Sequence, residues 1–153
     1  MSIRGLLERG IRSVLDEPAG EDELRQLLIA QRVDAEAAEH VRQTLEAMPA
    51  LLVAMEKALA DPGAPPHARR MFQTVVHYIM TDENLIPSHA GKPLLGLLDD
   101  VYLIHVAALE LEDHLGKVDL RSVAGGAQLL EQVLPELVTK ALRGFVTPRR
   151  ASR

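Results

Sequence analysis

The chain is predicted to be all-α: a compact single-domain bundle of about six to eight helices. Apolar residues recur at helical spacing along nearly all of its 153 residues, and no alternating strand pattern competes. Proline and glycine clusters then cut that pattern into pieces of helix length. Aromatic residues make up only 3% of the chain, so Leu, Val, Ile, Ala and Met must fill the core.

Ile3, Leu7, Ile11, Val14 and Leu15 form the apolar stripe of a first helix, ended by Pro18-Ala19-Gly20. A second helix spans roughly Asp22 to Arg32. Asp34 is placed as the N-cap of a third, with Ala38, Val41, Leu45 and Met48 on one face, and Pro49 breaks it at Met48. Leu51, Leu52, Met55, Ala58 and Leu59 carry the pattern to a loop over Asp61–Pro66. A helix from about His67 to Met80 follows, with Met71, Phe72, Val75, Tyr78 and Ile79 inward. Thr81 to Pro93 is the longest irregular stretch, and Leu85 and Ile86 are expected to tuck inward and anchor it. The helix from near Pro93 to about Leu115 is the most apolar and is expected to be central. Leu120, Val123, Ala127, Leu130 and Leu134 mark another, weakened by Gly125-Gly126, and Leu137, Val138, Leu142 and Phe145 a last. Residues 1–146 thus form the helical domain, and 147–153 a basic C-terminal tail.

Composition excludes several classes. With no cysteine there is no disulfide scaffold and no thiolate metal site. The N-terminal residues break every apolar pair with a charge or glycine, unlike a signal peptide, and no stretch approaches the 18 apolar residues of a membrane span. A cytoplasmic location is expected. The net charge of −5 is unevenly placed: Lys140, Arg143, Arg149, Arg150 and Arg153 make the last stretch basic. Few aromatics are available for stacking on bases, so nucleic acid is not the expected partner.

One segment is more specific. Asp61-Pro62 with Pro65, Tyr78 followed by Leu85-Ile86-Pro87, and Gly96-Leu97-Leu98-Asp99-Asp100 follow one another over residues 58–109. Together they resemble the YkvA-like family, small bacterial proteins of unknown function. Asn84 stands where that family's signature has aspartate, Asp82 where it has proline, and the loop from Pro87 to Asp99 is about two residues longer. The resemblance implies a helical fold and a bacterial origin.

Several residues are candidates for chemistry. On a helical wheel of the most apolar helix, Asp99, Asp100, Glu110 and His114 fall on a strip opposite the apolar face. The two aspartates read as solvated acids that complement the helix dipole. Their functional alternative is a set of hard oxygen ligands, with Asn84 and Asp82, for magnesium or calcium. Glu110 and His114, four residues apart, read as a surface pair that could share a metal. His105 falls near the centre of the apolar face, where an imidazole must be hydrogen-bonded; a core role or a ligand role follows from that. Ser88-His89-Ala90-Gly91-Lys92-Pro93 precedes a helix start, which suits either a turn with proline at the first helical position or an anion site using His89, Lys92 and free backbone amides. No cofactor motif is present, and no bound transition metal is expected.

The leading reading is a non-catalytic helical interaction or scaffold protein, partnered by another protein or by itself. A divalent-cation-dependent binding or catalytic module around residues 82–100 is the second. The third is a peripheral membrane protein, held by the first helix through its apolar stripe and its three arginines (Arg4, Arg9 and Arg12).

Overall fold

A computed structural model of the chain describes residues 2–81, 93–116 and 118–146. These hold eight α-helices and no strand: α1 Ile3–Asp16, α2 Pro18–Ala30, α3 Ala37–Glu46, α4 Met48–Ala60, α5 Pro66–Met80, α6 Pro93–Glu110, α7 Leu120–Val133 and α8 Glu136–Val146. Leu85 and Ile86, with the stretch that carries them, lie outside the described residues, as does the tail from residue 147.

Each helix start has a local cause. The Ser2 hydroxyl caps α1 by accepting from the Gly5 amide at 3.0 Å. α1 ends at Asp16, just before Pro18, and the second helix starts at Pro18 rather than near Asp22: the proline sits at the first position of α2, where its missing N–H costs nothing. The corner between α1 and α2 is closed so tightly that a Cβ on Gly20 would fall 2.1 Å from the Val14 carbonyl oxygen, so no other residue fits. Asp34 makes an Asx turn, its Oδ1 accepting from the Glu36 amide at 2.9 Å, and α3 opens three residues after it. α3 ends at Glu46 and α4 starts at Met48, with Pro49 in its first turn. The Asp61–Pro65 loop is tied down by Arg69, which donates to the carbonyl oxygens of Leu59 at 3.0 Å and Asp61 at 2.6 Å.

α6 organises the molecule. Leu94, Leu98, Val101, Tyr102, Leu103, Ile104, Ala107 and Ala108 are all fully buried, so the helix has no solvent face along most of its length. It packs against α7 and α8 most extensively, then α5, α1 and α2. It is shorter than expected: it ends at Glu110, and Glu112–His114 form a single 3-10 turn. The stripe Ile3, Leu7, Ile11 and Val14 of α1 is buried in the same core, so this apolar face is spent on packing within the chain. No helix among the described residues is long and apolar enough to cross a membrane.

The start of α6 is held from a distance. Glu23 of α2 accepts from the amides of Leu94, through Oε1 at 3.1 Å, and Leu95, through Oε2 at 2.9 Å. Both bonds are charge-assisted, and the carboxylate sits at the positive end of the helix dipole. Glu23→Gln keeps the shape but loses the charge and one acceptor. It should lower stability by about 1–2 kcal/mol with no change in the surface exposed on unfolding. Urea unfolding of the two proteins checks this; equal midpoints would contradict it.

Candidate functional site

An all-buried helix places its polar side chains inside the molecule, and α6 carries four of them: Asp99, Asp100, Tyr102 and His105. Tyr102 is fully buried, and its hydroxyl donates to Glu131 Oε2 of α7 at 3.0 Å; Glu131 in turn faces Arg143 of α8 at 3.9 Å. Burial, the Glu131 hydrogen bond and the Glu131 charge hold the Tyr102 phenol far above its usual range, against the opposing pull of Arg143. This link fastens α6 to α7 and α8.

The aspartates are not the solvated acids that the helical wheel suggests. Asp99 is fully buried, and the Tyr78 hydroxyl of α5 donates to its Oδ2 at 3.3 Å. The Tyr78 ring lies against Phe145 of α8, centroids 5.1 Å apart, so α5 and α8 close over the strip the wheel left to solvent. Oδ1 of Asp100 is buried too and has no hydrogen-bond partner among the described residues. Desolvation, and then the neighbouring Asp99, push the Asp100 carboxyl up to about 8. Asn84, His89 and Lys92 lie outside the described residues, as does Asp82. The anion reading meets a concrete obstacle: the Leu94 and Leu95 amides at the start of α6 already hold the Glu23 carboxylate. Among the described residues no three His, Asp or Glu side chains converge on a point that could hold a metal ion. Glu110 and His114 do not share a helical face, because α6 ends between them; the His114 ring instead meets His67 edge-on at 5.7 Å.

His105 sits in a different setting. It is 4% exposed, and its Nδ1 lies 2.8 Å from the Val101 carbonyl oxygen. A carbonyl can only accept, so Nδ1 carries the proton, and Nε2 is left as a bare acceptor. Burial pulls the imidazole below its usual pKa, only partly offset by the Val101 bond, so the ring is neutral at pH 7. Nε2 makes no hydrogen bond among the described residues. It faces a cleft of about 630 Å³ between α3–α4 on one side and α7 on the other. Met48, Leu51, Ala54, Val123 and Leu129 line its apolar depth, and the exposed His40, Gln43, Asp119 and Ser122 ring its mouth.

Sequence reasoning places His105 on the apolar face but misses the cleft, which is built by helices distant in sequence. One local signal was available. Gly125-Gly126 in the middle of α7 is poor helix chemistry, and such a pair marks a close approach. A Cβ on Gly126 would lie 2.8 Å from His105 Nε2 and 3.0 Å from Cδ2, whereas one on Gly125 would meet nothing within 4 Å. Comparison of the chain with family models, curated proteins and solved structures returned no match.

The two glycines should therefore respond oppositely. Gly125→Ala should stabilise the protein by about 0.5–1 kcal/mol through helix propensity alone. Gly126→Ala should fail to gain this and should shift the His105 ring resonances, because the methyl presses on the imidazole. Thermal melts with histidine NMR test the pair; equal gains at both sites would contradict the close approach.

Asp100 yields a pH signature. Between the ordinary carboxyl value of 3.8 and about 8, the folded state keeps a proton that the unfolded chain has lost. The stability tied to that proton is complete below 3.8 and is lost as pH rises through 8, at no more than about 1.4 kcal/mol per pH unit. His105 acts oppositely and at lower pH: its depressed value gives stability that is present above 6.5 and lost as pH falls. Between pH 6.5 and 9, Asp100→Asn should flatten the decline and leave the variant the more stable protein at pH 8. A wild type whose stability does not fall over that interval would contradict the assignment.

Proposed function

We propose that this chain is a ligand-binding module of the interaction-protein class, and that its binding site is the cleft between α3–α4 and α7. The observation that carries this is His105: a polar group 4% exposed, with an unmet acceptor turned into a cleft of about 630 Å³. Clefts of some 300–1,000 Å³ that are mainly apolar and hold a few fixed polar groups suit small molecules. A merely structural histidine is satisfied by its neighbours. Here the fold instead leaves an acceptor open to the cleft, where the donor of a bound molecule can reach it.

Tyr78 and Asp99, both among the residues that carry the YkvA-like resemblance, meet across α5 and α6. This supports reading the shared motif as a latch within the fold. It does not favour a cation site, since Asp99 is buried, Asp100 is half-buried beside it, and the Asp100 carboxyl, pushed up to about 8, holds a proton at pH 7.

The cleft reading predicts where small molecules bind. In amide correlation spectra recorded with a set of neutral aromatic fragments, shifts should cluster at Thr44, Met48, Val123 and Gly126. Ala47→Trp, on the exposed wall of the cleft, should abolish them and leave the melting temperature within a few degrees. Shifts scattered over the surface, or unchanged by Ala47→Trp, would overturn the reading.

A further inference from the structure

We infer that the ligand is a neutral, mainly apolar molecule that presents one N–H or O–H donor to His105 Nε2. This rests on the cleft reading and adds the chemistry of the occupant. Nδ1 is committed to the Val101 carbonyl, so the ring can offer the cleft only a lone pair. A molecule with acceptors alone, such as a ketone or an ether, leaves Nε2 unpaired and gains nothing there.

The other polar groups near the ring are already engaged. The Thr44 hydroxyl donates to the His40 carbonyl oxygen at 2.9 Å, one turn back, and its methyl Cγ2 is what lies beside Gly126. Asp119 caps α7 at the mouth, its Oδ1 accepting from the Ser122 amide at 3.1 Å. Deep in the cleft, no Lys, Arg, Asp or Glu side chain among the described residues is present to compensate a buried charge. An ion is disfavoured there, and a neutral ring or chain with a single donor fits. The length of the occupant is less restricted. Beyond His40 and Leu129 the cleft continues toward Arg32 and Asp34 over exposed polar residues, so the far end of a ligand can remain in water.

Gly126 sets the specificity at this contact. Its missing side chain is what lets α7 pass this close to the ring, since a Cβ there would stand 2.8 Å from Nε2 and press on the side from which a donor approaches. An alanine methyl would crowd Nε2 from the α7 side and hinder a donor from reaching it, leaving the rest of the cleft unchanged.

Indole and 1-methylindole test the inference, since they share an apolar body and differ in the one N–H. Isothermal titration should give indole an affinity about tenfold higher, the worth of one hydrogen bond to an otherwise unmet acceptor. The wild-type Nε2 resonance should move with indole and not with its methylated analogue. In Gly126→Ala the preference should disappear; if that variant does not fold, the wild-type comparison and the Nε2 resonance still decide. Equal affinities, with the fragment set still marking the cleft, would overturn the donor assignment alone. Neither compound binding at millimolar concentration would do the same. A fragment set that never marks the cleft would overturn the cleft reading beneath it.

Discussion

α6 is enclosed on every side along most of its length, and that constraint governs the rest of the molecule. A helix with no solvent face must have each of its polar side chains answered by a neighbour, because an unmet polar group in the core costs about 1–3 kcal/mol. α2 answers the start of the helix with Glu23, α5 answers Asp99 with Tyr78, and α7 answers Tyr102 with Glu131. These bonds join residues between 21 and 72 positions apart, so each fixes a helix against the centre rather than stabilising a local turn. The pattern breaks at Asp100, whose buried Oδ1 has no partner among the described residues and whose carboxyl is pushed up toward its neutral form, and at His105. Nδ1 is answered from within α6, and Nε2 opens on the cleft.

The same place concentrates three departures from what stability alone favours. Two adjacent glycines stand in mid-α7, a cleft is left where apolar residues could meet, and the imidazole of a buried histidine keeps one acceptor open to it. Glycine in mid-helix costs about 0.5–1 kcal/mol relative to alanine, and a cavity forfeits the contacts that would have filled it. Gly125 has open space around it and no packing reason to be glycine, whereas Gly126 is required by the His105 ring. Clustering of such costs at one site is the mark of a position kept for something other than folding. The acid pair is a contrasting case, since the proton held by Asp100 lowers the cost of burying two carboxyls side by side.

Much of the fold was readable from periodicity and breakers. The stripe of α1, the break at Pro49, the loop after Asp61 and the centrality of α6 all follow from where apolar residues recur and where Pro and Gly stand. Pro18 marks the end of α1 in the sequence but not the start of α2, because proline stops one helix as readily as it starts the next, and the tight corner at Gly20 depends on how α1 meets α2. The wheel failed at Asp99 and Asp100 for a related reason: a wheel shows which face of a helix is polar, and only tertiary packing shows that α5 and α8 cover it. Of the candidate site, His105 was readable as a buried histidine. Its open nitrogen was not, because the cleft needs α3, α4 and α7 brought together.

The chemistry of the cleft depends most on the state of one nitrogen, His105 Nε2. A long-range proton–nitrogen correlation spectrum of the histidine rings reports directly which nitrogen carries the proton. For His105 it should show Nδ1 protonated and Nε2 unprotonated, with any titration displaced below 6.5, where an ordinary histidine gains its second proton. A ring protonated at Nε2, or one that titrates near 6.5 like a solvated histidine, would contradict the central claim.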